Sequence, residues 1–367
     1  MKREKVIIRT SIRGIIVNLV LVVFKATVGL ISGSVAIALD ALNNLTDTMS
    51  AIVTIIGTKL AHRKPDREHP YGHGRIEYIT TLLIGLIILF AGVGAIIEAV
   101  PRIFNPEKTE YSVISLIIIA VAVGVKVLLG RYVKGVGEKI NSGSLIASGK
   151  DALFDAVLSF STLVSAIVSI VFRVNIDGWV GTVIAAFIIK ASIEMLSEAW
   201  MDVVGRRMDS DLAQKIKNTI CAFPEVQGAY DLTLHNYGPT DVIGSVHIQI
   251  PDNMKAREIH RLTREISVAI YKKFGIVMTI GIYAENTTKR ENKKMKGRLE
   301  EIVSGYSEIL QMHGFYIDEE EKMVAFDLII SFGCTDREKI KNEVIREMKK
   351  EFPGYRFTVT LDVDMSD

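Results

Sequence analysis

Two pairs of polar residues stand inside otherwise apolar stretches of the sequence. Asn43 and Asp47 lie in the second such stretch, and Asp151 and Asp155 open the fifth. Residues four apart share one face of a helix, so each pair presents its oxygen atoms to one side. An uncompensated carboxylate near the middle of a bilayer costs about 2.5–3.5 kcal/mol. The three acids therefore predict a cationic partner.

These four residues would together supply one amide oxygen and three carboxylates. Such hard oxygen ligands suit Mg²⁺, Ca²⁺ and Mn²⁺, whereas Zn²⁺ usually recruits a nitrogen or sulfur ligand. Protons compete with a metal for buried carboxylates, so the set predicts exchange of a divalent metal for protons. The structural alternatives are that Asp151 caps its helix and that the acids, Asp40 included, pair with Lys25, Lys126 or Lys150.

The elements that would position these residues are membrane-spanning helices. The chain of 367 residues is 49% hydrophobic, which is too apolar for an ordinary soluble protein, and its net charge of +2 makes no case for nucleic-acid binding. A span needs about 20 apolar residues. Six spans are predicted, at 14–32, 34–60, 79–100, 111–129, 151–172 and 178–196.

Lysine and arginine residues are concentrated on one side of these spans. They precede span one and fill the loops after spans two and four, whereas the opposite loops hold only Arg102, Lys108 and Arg173. The positive-inside rule then places both termini in the cytoplasm. The basic start followed by an apolar run is interpreted as a retained first helix rather than a cleaved signal peptide.

After Arg207 the composition becomes that of a soluble protein. Helix and strand patterns over 207–286 follow the order α-β-β-α-β, which predicts a ferredoxin-like α+β domain. A polar, mostly basic linker is predicted at 287–298, and the same element order recurs over 299–367, indicating a second copy. In that copy we expect a helix over 299–311 and a first strand over 314–317. The domains are therefore 1–206, 207–286 and 299–367, with the linker between the last two.

The loop after the second span contains a further candidate metal site. Asp66, His69 and His73 have the spacing D-x-x-H-x-x-x-H. Two imidazoles and a carboxylate can hold a divalent ion with a position left for water. The same segment also has the composition of a turn at a membrane edge, so a purely structural role stays open.

The spans, their polar pairs and the soluble domain resemble the cation diffusion facilitator family over residues 8–286. The pairs Asn43-x-x-x-Asp47 and Asp151-x-x-x-Asp155 resemble its manganese-transporting branch rather than zinc exporters, which carry histidine or aspartate at the first position. The resemblance implies a secondary active transporter, not an enzyme, that exports a divalent metal, with Mn²⁺ favoured and Zn²⁺, Fe²⁺, Co²⁺ and Cd²⁺ as alternatives. It also implies a homodimer in a bacterial or archaeal plasma membrane.

In the soluble domain, the resemblance points to His247, His260 and Glu285 as metal ligands, and it supports a second ion at the loop site. The second copy contains His313 and an acidic end, in which we recognise no ligand set. A competing hypothesis of another class is a membrane-anchored sensor or scaffold whose acids pair internally. No nucleophile motif or phosphate-binding loop favours an enzyme.

Overall fold

The chain divides into a helical unit and an α/β unit in the computed structural model. The structure describes residues 3–32, 35–104, 113–172, 176–287 and 289–363, with side chains left undescribed at 28–32, 35–43, 45–46, 113–115, 162, 166, 169–170 and 177. The first unit comprises 1–206 with 236–240, and the second comprises 207–235 with 241–367.

The helical unit consists of long apolar helices joined by short polar segments. Within the part of the chain that the structure describes, four helical stretches are long and apolar enough to cross a membrane, over Arg3–Thr27, Ile76–Phe104, Leu116–Lys139 and Gly178–Val204. The helices are α1 (Arg3–Ser32), α2 (Val35–Ala61), α3 (Ile76–Phe104), α4 (Val113–Lys139), α5 (Gly143–Phe172) and α6 (Asp177–Val204).

Large apolar side chains point outward from this unit. Phe90 is 72% exposed and Leu128 is 71% exposed, whereas small and polar residues such as Ser144 and Ala147 are buried between helices. Such an outward apolar surface is unfavourable in water and favourable against lipid tails. The structure thus confirms a helical membrane domain.

Helix α5 begins eight residues before Asp151, at Gly143. The suggestion that Asp151 caps this helix is therefore wrong, because an N-cap residue stands at the first turn and Asp151 lies in the third. The apolar composition of the sequence indicated only where the lipid-facing part of this helix starts. The helix itself continues into a more polar segment that packs against α4.

Helices α4 and α5 approach closely at two glycines. A Cβ atom on Gly149 would lie 2.5 Å from the backbone nitrogen of Lys134, and one on Gly130 would lie 3.0 Å from the carbonyl oxygen of Gly149. Only glycine fits such a backbone contact without displacing a helix. This approach positions the middle of α4 against the polar face of α5.

A buried ion pair joins the ends of three helices, on the side that the sequence predicts to face the cytoplasm. Arg3 donates two hydrogen bonds to the carboxylate of Glu77, each 2.7 Å long, and further bonds to the carbonyl oxygens of Ile140 and Asn141. The side chain of Glu77 is only 2% exposed. The bidentate contact links the start of α1 to α3 and to the α4–α5 turn.

Among the described residues, the α/β unit contains two three-stranded sheets, and in each sheet the strands lie side by side in the order in which they follow along the chain. In each sheet the last two strands are parallel, with His247 opposite Gly281 in one and Phe326 opposite Val359 in the other. The elements are α7 (Ser210–Ile220), β1 (Gly228–Asn236), β2 (Val242–Pro251), α8 (Ala256–Phe274), β3 (Val277–Glu285), α9 (Arg290–Ser304), β4 (Ile309–Asp318), β5 (Met323–Ile330), α10 (Arg337–Glu351) and β6 (Arg356–Asp362).

Each sheet packs its helices over a separate apolar core. Ile216, Ile248 and Ile266 are fully buried in the first core, and Leu299 and Val344 are fully buried in the second. The helices are amphipathic, with buried residues recurring every three or four positions. Each half of the unit thus forms its own layer of helices on a sheet.

Two predictions about the connection between these halves are corrected. Most of the predicted linker 287–298 is the start of α9, which begins at Arg290 and ends at Ser304, and Ile309 to Gln311 belong to β4 rather than to a helix. Asn292, Met295 and Leu299 form the buried face of α9. The many charged residues around them lie on the solvent side and obscured the helical period in the sequence.

Candidate functional site

Helices α2 and α5 face each other through a pair of hydroxyl contacts. Ser50 donates a 3.0 Å hydrogen bond to Oδ2 of Asp151, and one turn away the hydroxyl oxygens of Thr54 and Ser148 are 3.0 Å apart. Along this contact the residue numbers rise in α2 as they fall in α5, so the two helices run in opposite directions. Asp47, one turn before Ser50, therefore lies level with Asp155, one turn after Asp151.

Lys126 of α4 reaches the carboxylates of both helices. Its ammonium nitrogen lies 2.6 Å from Oδ2 of Asp47 and also binds Oδ2 of Asp155. The lysine side chain is 4% exposed, and those of Asp47 and Asp155 are 14% and 29% exposed. One cation therefore bridges α2 and α5 inside the helical unit.

A cavity of about 30 Å³ lies beside this bridge. That volume can hold one or two water molecules or an ion. Asn18 of α1 contributes a buried Oδ1 atom that has no hydrogen-bond partner among the described residues. The lining also includes Asp47, Ser50 and Asp151. Asn18 and Ser50 are polar groups at this position that were not selected from the sequence.

The structure describes three of the four side chains in the membrane site that the sequence predicts. Asp47 and Asp155 meet at Lys126, and Asp151 is turned toward Ser50 in the same region. The side chains of Asn43 and Asp40 lie outside the described residues. The carboxylates face a common region between α2, α4 and α5, where oxygen ligands and a nearby cavity suit a hard divalent cation.

The sequence left open whether the acids pair with Lys25, Lys126 or Lys150. The structure pairs Lys126 with Asp47 and Asp155, whereas Lys190 lies in an exposed pair with Glu194. A lysine within an apolar span was the signal in the sequence that this side chain has a partner. Its partner depends on which helices pack together, and that information is not local in the sequence.

The loop residues Asp66, His69 and His73 come together. Nδ1 of His69 is 3.2 Å from Oδ1 of Asp66, and Nε2 of His73 is 3.4 Å from Oδ2. One ligand atom from each residue lies within 4.8 Å of the other two. The backbone N–H of His69 donates to Asp66 and holds the pKa of that carboxyl below its ordinary value. The geometry suits a divalent ion held by two nitrogens and one oxygen.

The set His247, His260 and Glu285 does not converge within the chain. In the parallel register Glu285 lies opposite Pro251, four residues beyond His247, which corresponds to about 13 Å along a strand. His247 instead contacts Asp231 at 2.9 Å, Glu285 pairs with Lys296 at 2.7 Å, and His260 is exposed on α8. One chain alone therefore does not bring these three residues together, and residue type in the sequence did not reveal the strand register that separates them.

His247 and Asp231 instead form part of another polar group. The hydrogen bond between them raises the pKa of His247, although burial opposes the shift. The second copy, in which the sequence showed no ligand set, contributes two residues to this group. His313 and Asp362 of that copy lie with Asp231 of the first, and their ligand atoms are within 4.8 Å of one another.

Comparison with known proteins identifies the two main parts of the chain. Residues 11–202 match the family described as the cation efflux transmembrane domain, and residues 208–285 match the cation efflux protein cytoplasmic domain.

Three relatives cover most of this chain. An uncharacterized transporter of Methanocaldococcus jannaschii is 30% identical over 71% of this chain and 90% of its own length. The manganese efflux system protein MneP of Bacillus subtilis is 24% identical over 77% of this chain and 97% of its own. Metal tolerance protein 2 of Oryza sativa subsp. japonica is 28% identical over 74% and 76%.

These matches agree with the membrane helices and the carboxylates that they carry. The transmembrane match alone covers more than half of the chain, and the matched region includes every residue of the membrane cluster. We conclude that the chain belongs to the cation diffusion facilitator family and is a divalent metal cation efflux transporter rather than an enzyme.

Proposed function

We propose that this transporter exports Mn²⁺ in exchange for protons, with the metal bound by Asn43, Asp47, Asp151 and Asp155. The aspartates would carry the protons on the return step, because a metal must displace protons from carboxylates to bind them. The observation that carries the proposal is the position of Lys126. A cationic group already lies between two of the proposed ligands.

The contact of Lys126 supports a single cation position shared by α2 and α5. Its flexible four-carbon stem lets the ammonium group leave the carboxylates when a divalent ion arrives. The cavity lined by Asp47, Asp151 and Ser50 provides adjacent space in which an entering ion can contact oxygen atoms. In the proposed cycle, Lys126 and the metal bind the same acids alternately.

Manganese is favoured by the ligand chemistry. The proposed set contains oxygen donors and no imidazole or thiolate, which suits Mn²⁺ better than Zn²⁺. The similarity to a manganese efflux protein of B. subtilis agrees with this preference. Substitution Asn43→His adds a nitrogen ligand, so we expect competition assays to shift from Mn²⁺ toward Zn²⁺. An unchanged competition between the two metals would remove Asn43 from the ligand set.

Six membrane spans, cytoplasmic termini and a homodimer in the plasma membrane complete the proposed architecture. The distribution of lysine and arginine supports the orientation, and the match to the family's cytoplasmic domain supports a dimer. The repeated element order of the α/β unit favours an origin by duplication. The loop ion at Asp66, His69 and His73 would stabilise or regulate rather than be transported.

A proteoliposome assay tests the proposed site. Vesicles with an imposed proton gradient and a luminal pH dye should show Mn²⁺-dependent proton flux with the parent protein. Asp47→Asn and Asp155→Asn should reduce that flux to the level of protein-free vesicles. Glu194→Gln is the matched control, because it removes an exposed carboxylate that also pairs with a lysine. Parent-level flux in both aspartate variants would refute the site.

The contact of Lys126 with the two aspartates also agrees with the alternative of a membrane-anchored scaffold. That hypothesis predicts that intramembrane acids pair with a lysine such as Lys126. The two functions differ in their response to metal. A passive ion pair requires no metal-coupled proton movement, so parent vesicles without any Mn²⁺-dependent flux under an inward or outward gradient would favour the scaffold.

A further inference from the structure

A polar cluster lies where the two halves of the α/β unit meet. The hydroxyl group of Tyr283, on β3 of the first half, lies 2.6 Å from Oδ2 of Asp231 and 2.9 Å from Oδ2 of Asp327, which is on β5 of the second half. The ring of His313 on β4 stacks on Tyr230 with centroids 5.1 Å apart. Residues of both halves thus surround one point.

Three carboxylates approach one imidazole at this point. Nε2 of His313 is 2.8 Å from Oδ1 of Asp231, 3.8 Å from Oδ2 of Asp362 and 4.0 Å from Oδ2 of Asp327. Two ligand atoms that are each about 2.1 Å from one ion lie about 3–4 Å apart. The spacing of Asp231, His313 and Asp362 therefore matches that of ligands around a single metal.

The side chain of His313 is buried and has no satisfied hydrogen bond. The residue is 3% exposed, and neither ring nitrogen has a hydrogen-bond partner among the described residues. The same holds for Oδ1 of Asp231, although it lies 2.8 Å from Nε2. The two atoms are therefore close together without forming a hydrogen bond with each other. Buried polar atoms in proteins are normally paired, so both atoms require another partner.

The backbone around the cluster is shaped to bring these groups together. Asp231 has φ of 54°, in the left-handed region that non-glycine residues rarely adopt. Gly314 has φ of 66°, and a Cβ atom there would lie 2.9 Å from Oδ2 of Asp327 and 3.1 Å from Cε1 of Tyr283. Only glycine leaves room for these two side chains to meet next to His313.

We propose that Asp231, His313 and Asp362 bind one divalent transition-metal ion that joins the two halves of the α/β unit. One imidazole nitrogen with carboxylate oxygens suits Mn²⁺, Fe²⁺, Co²⁺ or Zn²⁺ and disfavours Ca²⁺ and Mg²⁺, which take oxygen ligands. His313 and Asp362 lie beyond residues 208–285, which match the family's cytoplasmic domain. The site therefore depends on the second half of this unit.

Co²⁺ is a suitable probe because its absorption spectrum reports nitrogen and oxygen ligands. The full chain in detergent micelles would carry Asp47→Asn, Asp155→Asn and Asp66→Ala, so that the membrane and loop sites do not contribute. We expect this triple variant, which is the parent protein of the present experiment, to bind one Co²⁺ per chain by equilibrium dialysis. Adding His313→Gln or Asp362→Asn should remove that ion and its spectrum.

His235→Gln is the matched control, because His235 is an exposed histidine of the same unit. It should retain the ion. Asp362→Asn keeps the shape of the side chain, and far-UV circular dichroism identifies any variant that fails to fold. Unchanged Co²⁺ stoichiometry and spectrum in both folded variants, or a parent that binds no Co²⁺, would overturn the proposal. Neither result depends on transport, so the export proposal is tested separately.

Discussion

The ammonium nitrogen of Lys126 lies 2.6 Å from Oδ2 of Asp47, and the same group binds Asp155 on another helix. Breaking a buried ion pair by removing one partner costs about 3–5 kcal/mol, because the remaining charges are left uncompensated. We expect Lys126→Met to destabilise the metal-free protein by about this amount. A bound Mn²⁺ should compensate the acids, so added Mn²⁺ should raise the melting temperature more in this variant than in the parent.

Thermal unfolding in micelles, with EDTA or with Mn²⁺, measures both effects. Lys190→Met is the control, since Lys190 pairs with Glu194 on an exposed surface. If Mn²⁺ raised the melting temperature of Lys126→Met no more than that of the parent, the shared cation position would be contradicted.

The ion pair between Arg3 and Glu77 should be important for stability. Glu77→Ala leaves the guanidinium of Arg3 without its bidentate partner in a mostly buried position. We expect a loss of about 3–5 kcal/mol in the free energy of unfolding. Glu98→Ala breaks a comparable but exposed pair with Arg102 and should cost no more than about 1 kcal/mol. Equal losses in the two variants, measured by chemical denaturation, would argue against a special role for the buried pair.

Close approach of α4 and α5 should be necessary for the position of Lys126. Gly149→Leu places a side chain against the backbone of Lys134, so the helices must separate. Overpacking of this kind costs about 1–3 kcal/mol or more, and the resulting shift should also lower the Mn²⁺ flux. Gly135→Ala is the matched control on α4, because no atom lies within 4 Å of its added Cβ. A Gly149→Leu protein with parent stability and flux would show that this contact is dispensable.

Acidification should weaken the α/β unit through Glu285. Burial raises the pKa of this carboxyl, but hydrogen bonds from Lys296 and Thr287 outweigh it and hold the pKa below its ordinary value of 4.5. A lowered pKa in the folded state contributes stability that is complete above pH 4.5 and is lost as the pH falls through the folded-state pKa.

Glu285→Gln should therefore lower stability at neutral pH and flatten its decline below pH 4.5. Melting curves recorded from neutral to acidic pH provide the measurement. Glu300→Gln, at an exposed position on α9, should leave the curve unchanged. A Glu285→Gln curve parallel to that of the parent would exclude this contribution.

The loop residues should bind one ion of their own. Asp66→Ala removes the carboxylate that contacts both His69 and His73, so we expect one fewer Mn²⁺ per chain by equilibrium dialysis. Asp241→Ala provides a control at another loop carboxylate. Unchanged stoichiometry in Asp66→Ala would leave the loop with a structural role.

The sequence predicted the helical membrane domain because apolar composition over about 20 residues is a strong local signal. Helix ends were less predictable. Helix α5 starts at Gly143, where the composition is no longer apolar, and α9 was hidden by charged residues on its solvent side. Both helices depend on tertiary packing, which a local pattern reports only in part.

The candidate metal sites likewise differ in how far the sequence could predict them. The spacing of Asp66, His69 and His73 is local, so their grouping could be predicted, whereas the position of Glu285 relative to His247 follows from strand register. The contact of His313 with Asp231 joins residues that are 82 positions apart and depends on how two sheets meet. No periodicity in the chain reports such an approach.

The lysine between the two aspartates also affects how the empty carrier responds to voltage. Asp47 and Asp155 alone carry two negative charges, but with Lys126 in place the trio carries one. Moving an elementary charge through the full membrane potential is worth about 2.3 kcal/mol per 100 mV. A tethered ammonium that travels with these acids therefore leaves one negative charge, rather than two, for the returning protons to neutralise, and makes the return of the carrier correspondingly less dependent on the energised state of the cell.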